Sequence, residues 1–177
     1  MPKFEANNLN GVMPAMITSF NKDESINKEG LRNIINHSIN EKVNGLYVTG
    51  STGETFLMSP EEKKKVIDII VEEVNGRVPV IAHIGSIGTK ITTDLAEYAT
   101  KAGVDGLSAL PPFYYNFTNE EIFNYYSDIA KSSDLPIIIY NIERANLMDI
   151  DTLKKLAAIE NIKGVKYTAA THFNFEV

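Results

Sequence analysis

Apolar and β-branched residues gather into six short runs, at 12–18, 45–49, 78–84, 104–110, 136–140 and 162–166. The runs are near-continuous rather than alternating, which is the pattern of strands covered on both faces. Between them the period becomes helical. Residues 27–42 place Leu31, Ile34, Ile35 and Ile39 on one face, and residues 59–74 open on Ser59-Pro60-Glu61-Glu62, a capping box with proline at the first helical position. A helix over 89–101 closes at Gly103, another over 118–131 opens on Thr118-Asn119-Glu120-Glu121, and one over 149–158 completes the series. Strand and helix alternating in this order predict a parallel sheet covered by helices, with a structural repeat of roughly 25 to 35 residues.

Composition narrows the classes of function. The 177 residues, 44% hydrophobic and 23% charged, describe one domain spanning 1–177 that is able to bury a core. A net charge of -6 gives no electrostatic footprint for nucleic acid or anionic lipid. The absence of cysteine excludes disulfides, thiolate catalysis and cysteine metal sites, and fits a reducing compartment. The first residues lack the apolar core of a signal peptide, and no stretch approaches the ~20 apolar residues of a membrane span, so the expected location is the cytoplasm. His37, His83 and His172 read as a helix-face, a strand and a loop residue without ligand spacing, so no metal is expected. No cofactor is expected either: Gly-x-Gly-x-x-Gly does not follow the first run, and Gly-Lys-Ser/Thr is missing.

Polar residues crowd the C-terminal ends of several runs, the arrangement of a (β/α)8 barrel, or TIM barrel, with its site at one mouth. Lys166, in Ile162-Lys163-Gly164-Val165-Lys166-Tyr167-Thr168, is the candidate nucleophile. A lysine amine attacks a carbonyl only where desolvation or a neighbouring cation favours its neutral form, and a barrel mouth offers that setting. The same tripeptide also describes a surface lysine snorkelling past a strand end. Gly50-Ser51-Thr52-Gly53-Glu54 joins a strand to a helix and reads either as a plain turn or as a nest of N–H groups and hydroxyls that suits a carboxylate. Tyr140 ends its run as a proton relay beside Lys166 or as an amphipathic core residue, and Tyr114-Tyr115 fits loop packing as readily as catalysis.

Gly50-Ser51-Thr52-Gly53-Glu54, Pro112-Phe113-Tyr114-Tyr115, Tyr140-Asn141-Ile142 and Gly164-Val165-Lys166-Tyr167-Thr168, in this order and spacing, resemble the N-acetylneuraminate lyase and dihydrodipicolinate synthase superfamily. The resemblance runs from about residue 9 to the last. It implies a (β/α)8 barrel, a homotetramer, and a class I aldolase in which Lys166 forms a Schiff base with the C2 carbonyl of pyruvate or its aldol adduct. By the same resemblance Ser51 and Thr52 hold the pyruvyl carboxylate, Tyr140 relays the proton, and Tyr115 completes the relay across a subunit interface. Serine first in Ser51-Thr52, and Lys166-Tyr167-Thr168 where synthases carry Lys-Glu-Ala, are similar to the branch that cleaves N-acetylneuraminate to N-acetylmannosamine and pyruvate. Thr168 then faces the sugar. A dihydrodipicolinate synthase or a 2-keto-3-deoxy-sugar aldolase would share the imine and differ in the second substrate.

Two departures stand out. After Tyr140-Asn141-Ile142 the family's proline is Glu143, its glycine is Leu147, and the synthases' arginine position is Ala145, with Arg144 one place off. Six strands precede Val177, whereas a (β/α)8 barrel usually takes about 250 residues. The chain therefore reads as about six βα units of a truncated barrel, and as an isolated fragment it is expected to have little activity, or to serve as a non-enzymatic module.

Overall fold

The computed structural model of the chain describes Phe4 and residues 6–168. Its helices begin where the caps place them. α1 (Lys28–Asn40) follows Asn27, whose side chain accepts from the Gly30 N–H. α2 (Pro60–Val74) and α4 (Asn119–Lys131) open on reciprocal capping boxes, Ser59 with Glu62 and Thr118 with Glu121. α3 (Thr89–Ala102) ends at Gly103, whose φ of 98° lies in the left-handed region that glycine enters without a Cβ clash. α5 (Ile150–Ala157) is capped by Asp149, which accepts from Thr152 N–H.

Five strands, β1 (Leu46–Val48), β2 (Val80–His83), β3 (Gly106–Ala109), β4 (Ile137–Ile142) and β5 (Ile162–Thr168), form one parallel sheet in the order of the chain. Each strand pairs with the next after a single helical crossover, which is the winding of a (β/α) barrel. One face of the sheet meets the helices: Leu46, Val48, Val80, Ala82, Leu107, Ala109, Ile137 and Ile139 join Leu31, Ile35, Ile67, Ile70, Leu95 and Ile129 in the main core. Strand residues on the other parity include Tyr47, Ile81, His83, Ser108, Ile138, Tyr140, Ile142 and Lys166, and none of these belongs to that core.

The expected first strand, 12–18, forms no strand. Its pairing is one parallel bridge from Ala15 to Tyr47, carried by Met16 N–H to Tyr47 O at 2.9 Å and Tyr47 N–H to Pro14 O at 3.1 Å. Pro14 lacks an N–H, and the Val12 N–H is taken by the Asn44 side chain, so the ladder cannot extend. The segment still fills the first-strand place beside β1. Strand β5 runs two residues further than its apolar pattern predicts, through Tyr167 and Thr168, because these pair with Asn141 and Ile142.

Candidate active site

Pairing sets the first piece of the site. Lys166 lies directly opposite Tyr140, and since both side chains leave the sheet on the inner face, the amine reaches over the phenol. Nζ sits 3.4 Å from the Tyr140 ring centroid and 5.7 Å from that of Tyr47, and donates to Thr168 Oγ1 at 3.2 Å. A cation is attracted to ring faces at these distances, so the lysine is held on an aromatic floor rather than free in solvent. Tyr140 is buried, and its ring stands edge-on to Tyr47 at 81° and to His83 at 87°. Val165, on the opposite parity, packs against the helix-side core, and Lys163 is exposed.

Local conformation shapes the second piece. Thr49 follows β1 with φ at 53°, a strained value for a β-branched residue, and its one hydroxyl proton is shared between Val48 O at 2.7 Å and His83 O at 2.9 Å. The chain then turns through a 3-10 helix, Ser51–Gly53. Gly53, Glu54 and Thr55 spend their N–H groups on Gly50 O and Ser51 O, leaving those of Ser51 and Thr52 outside the turn's own bonds. Both side chains are exposed. Gly50 is required by close approach, since a Cβ there would lie 2.7 Å from the Tyr47 ring. From behind, Thr18 Oγ1 donates to Gly53 O at 2.8 Å, so the 12–18 segment braces this turn even without being a strand.

Ser51, Phe56, Phe113, Ile142, Arg144 and Thr168 line a cavity of about 600 Å³ beside Lys166. The structure thus brings Ser51, Thr168, Tyr140 and Lys166 to one mouth of the sheet. Tyr115 is not brought there: it is 65% exposed, with its ring 4.9 Å from that of Tyr114. Among the described residues no cluster of three or more His, Cys, Asp or Glu side chains could hold a metal, and no helix is long and apolar enough to cross a membrane. His172 lies outside the described residues.

Residues 8–176 match the profile of the Dihydrodipicolinate synthetase family. The chain belongs to this family. Among its relatives, an N-acetylneuraminate lyase of Clostridium perfringens strain 13 is 43% identical over 171 residues, covering 95% of this chain and 59% of the relative. Of solved structures, CdNal from Clostridium difficile in complex with mannosamine superposes with a TM-score of 0.92 at 43% identity, over 95% of this chain and 59% of that one. N-acetylneuraminate lyase from Fusobacterium nucleatum superposes at 0.89 with 41% identity, over 94% of this chain and 58% of that one. The chain thus spans under three fifths of the length of these relatives.

The structure shows what holds the loop after β4. Asn141 receives the Met148 N–H at 2.9 Å and donates to Met148 O at 3.1 Å, closing the loop on itself. Asn146 adopts the left-handed φ of 47° that asparagine tolerates, and its amide donates to Pro112 O at 2.8 Å and Tyr115 O at 3.1 Å. These bonds hold the loop where, by the resemblance drawn from the sequence, a proline and a glycine are expected. They also place Arg144 on the cavity wall.

Sequence reasoning missed three inner-face residues. Tyr47 donates to Ser108 Oγ at 3.0 Å across β2, and burial raises its phenol well above the ordinary value. His83 stands between them, with its titration pushed down to about 3. Burial is the main cause, the charge of Lys63 is the next, and that of Lys166 adds to both; the Thr49 backbone opposes them from outside hydrogen-bonding geometry. Counting back by two from the ends of the 45–49 and 104–110 runs reaches Tyr47 and Ser108, whereas His83 is itself the last residue of β2.

Proposed function

We propose that the protein is a class I, Schiff-base aldolase that cleaves N-acetylneuraminate to N-acetylmannosamine and pyruvate. The observation that carries this reading is the Lys166 amine lying 3.4 Å over the Tyr140 ring, at paired positions of adjacent strands beside the Ser51 turn. In the reaction, Nζ attacks the C2 carbonyl, the carbonyl oxygen leaves as water, and a protonated imine forms. The C3–C4 bond then breaks with its electron pair flowing into the imine, while the C4 hydroxyl gives its proton to the Tyr140 relay. N-acetylmannosamine departs as an aldehyde. The remaining enamine takes a proton at C3, and hydrolysis returns pyruvate and the free amine.

Ser51 and Thr52, with their hydroxyls and the two N–H groups left over by the turn, suit the pyruvyl carboxylate. Thr168, in contact with the amine and on the cavity wall, faces the sugar half. The exposed Tyr115 suits a role in a neighbouring subunit's site, which fits a homotetramer; the same reading places the protein in the cytoplasm. The names of the relatives support the sialic acid branch.

Borohydride reduction in the presence of pyruvate tests the mechanism. It should leave a pyruvyl adduct on Lys166 alone, located by peptide mass mapping, and Lys166→Ala should abolish the adduct while leaving the fold intact. An adduct on Lys163, or none, would refute the Schiff base.

A further inference from the structure

His83 plays no part in the reaction as written, yet much of the site is built around it. Its imidazole, 1% exposed, stands edge-on to Phe56 at 90° and to Tyr140 at 87°, with ring centroids 6.1 and 6.0 Å away, and 6.4 Å from Tyr47. The loop after β2 is also fitted to it: a Cβ on Gly85 would lie 3.0 Å from His83 Nε2 and 3.0 Å from the Leu110 nitrogen. Among the described residues neither Nδ1 nor Nε2 has a hydrogen-bond partner, and both are out of solvent. Burying polar atoms without close partners is destabilising, so the packing of the ring and not its hydrogen bonding accounts for its place here.

The rings that converge on His83 include the one beneath the amine. We infer that His83 is a positioning residue for the imine-forming lysine: its ring, edge-on to Tyr140, fixes the tilt of the phenol on which the Lys166 amine rests. This rests on the Schiff-base reading of the site. An aromatic edge presents the positive rim of its quadrupole to the face of its neighbour, which favours one tilt over others. A charged ring would fail in this place, because the buried Lys63, with Nζ 5.7 Å from the Phe56 ring, and Lys166, with Nζ 3.4 Å from the Tyr140 ring, set two positive charges against it. Burial keeps the imidazole neutral at any physiological pH.

Two variants and two readouts test the inference. His83→Phe keeps an aromatic edge, and His83→Ala removes it. The Lys166 ε-methylene resonance, shifted by the ring beneath it, reports the geometry without reference to catalysis; the rate of borohydride trapping with pyruvate reports its use. His83→Ala is expected to move the resonance toward its unshifted position and to slow trapping about 10- to 100-fold at saturating pyruvate, the scale of a small misplacement of reacting groups. His83→Phe is expected to restore both most of the way. Should His83→Ala fail to give a native circular dichroism spectrum, Gly85→Ala, whose methyl would push on Nε2, is expected to move the resonance in the same sense. An unmoved resonance in the folded variants would overturn the inference, as would a His83→Phe as slow as His83→Ala, which would assign the role to the nitrogens. A wild type that traps no pyruvate while its resonance responds as expected would refute the aldolase reading and leave the positioning of Tyr140 standing.

Discussion

The two faces of the sheet are made by the same five strands and answer to different demands. Toward the helices, Leu46, Val80, Leu107, Ile137 and Ile139 are fully or nearly fully buried and purely apolar. Toward the barrel interior the strands present Tyr47, His83, Ser108, Tyr140 and Lys166, each carrying a nitrogen or hydroxyl, beside the apolar Ile81, Ile138 and Ile142. Tyr47 donates to Ser108, His83 has no hydrogen-bond partner among the described residues, and Lys166 leans on a ring. The difference teaches that stability and chemistry occupy alternate residues of one strand, so adjacent substitutions should give opposite phenotypes.

The sharpest test uses neighbours on β4. Tyr140→Phe should lower turnover by about 10²- to 10⁴-fold, the usual worth of a positioned acid–base group, with far less change in the pyruvate concentration needed. Steady-state kinetics read this directly, and an unchanged rate would reduce Tyr140 to packing. Ile139→Ala, one residue away, should cost about 2 to 5 kcal/mol of stability in denaturant titration, because it empties a site with no exposure. Its folded fraction should trap pyruvate at the wild-type rate.

A subtler test is acidity. With the folded His83 pushed down to about 3 and the unfolded one near 6.5, the unfolded chain takes up a proton in that window which the native structure refuses. Stability should be unaffected by this group above pH 6.5 and fall below it, by up to about 1.4 kcal/mol per pH unit. Thermal melts at pH 7 and pH 5 should show a smaller drop in His83→Phe than in wild type; equal drops would mean that the imidazole is not the group responsible. The smallest effect belongs to Thr168→Ala. Its hydroxyl is exposed and accepts one bond from Lys166, so cleavage should weaken by about 0.5 to 1.5 kcal/mol while imine formation with pyruvate is nearly spared. Equal loss of both would place Thr168 in the scaffold.

Much of this was legible along the chain, for identifiable reasons. Capping boxes at Ser59 and Thr118 and the stop at Gly103 are local chemistry, and the helices begin and end beside them. Strands with apolar residues on both faces announce themselves as runs, but a run has no parity, and so it hides which residues look inward. Lys166 and Tyr140 were visible because they are polar at run ends. Tyr47, His83 and Ser108 sit within or at the edge of runs and became significant only once the pairing of Tyr140 with Lys166 fixed the face. The 12–18 segment misled because its side chains suit a strand while Pro14 and the Asn44 contact withhold the backbone donors a ladder needs.

The consecutive order of the strands bears on how the chain reaches this structure at all. Each strand finds its partner one helix away, about 25 to 35 residues along, and no pairing among the five waits on a distant segment. Closing a loop of that length carries a modest and nearly constant entropy at every step. A ribosome releasing the chain from its N-terminus would therefore deliver each strand to a template already laid down, so that the sheet could grow by accretion rather than by a single late collapse.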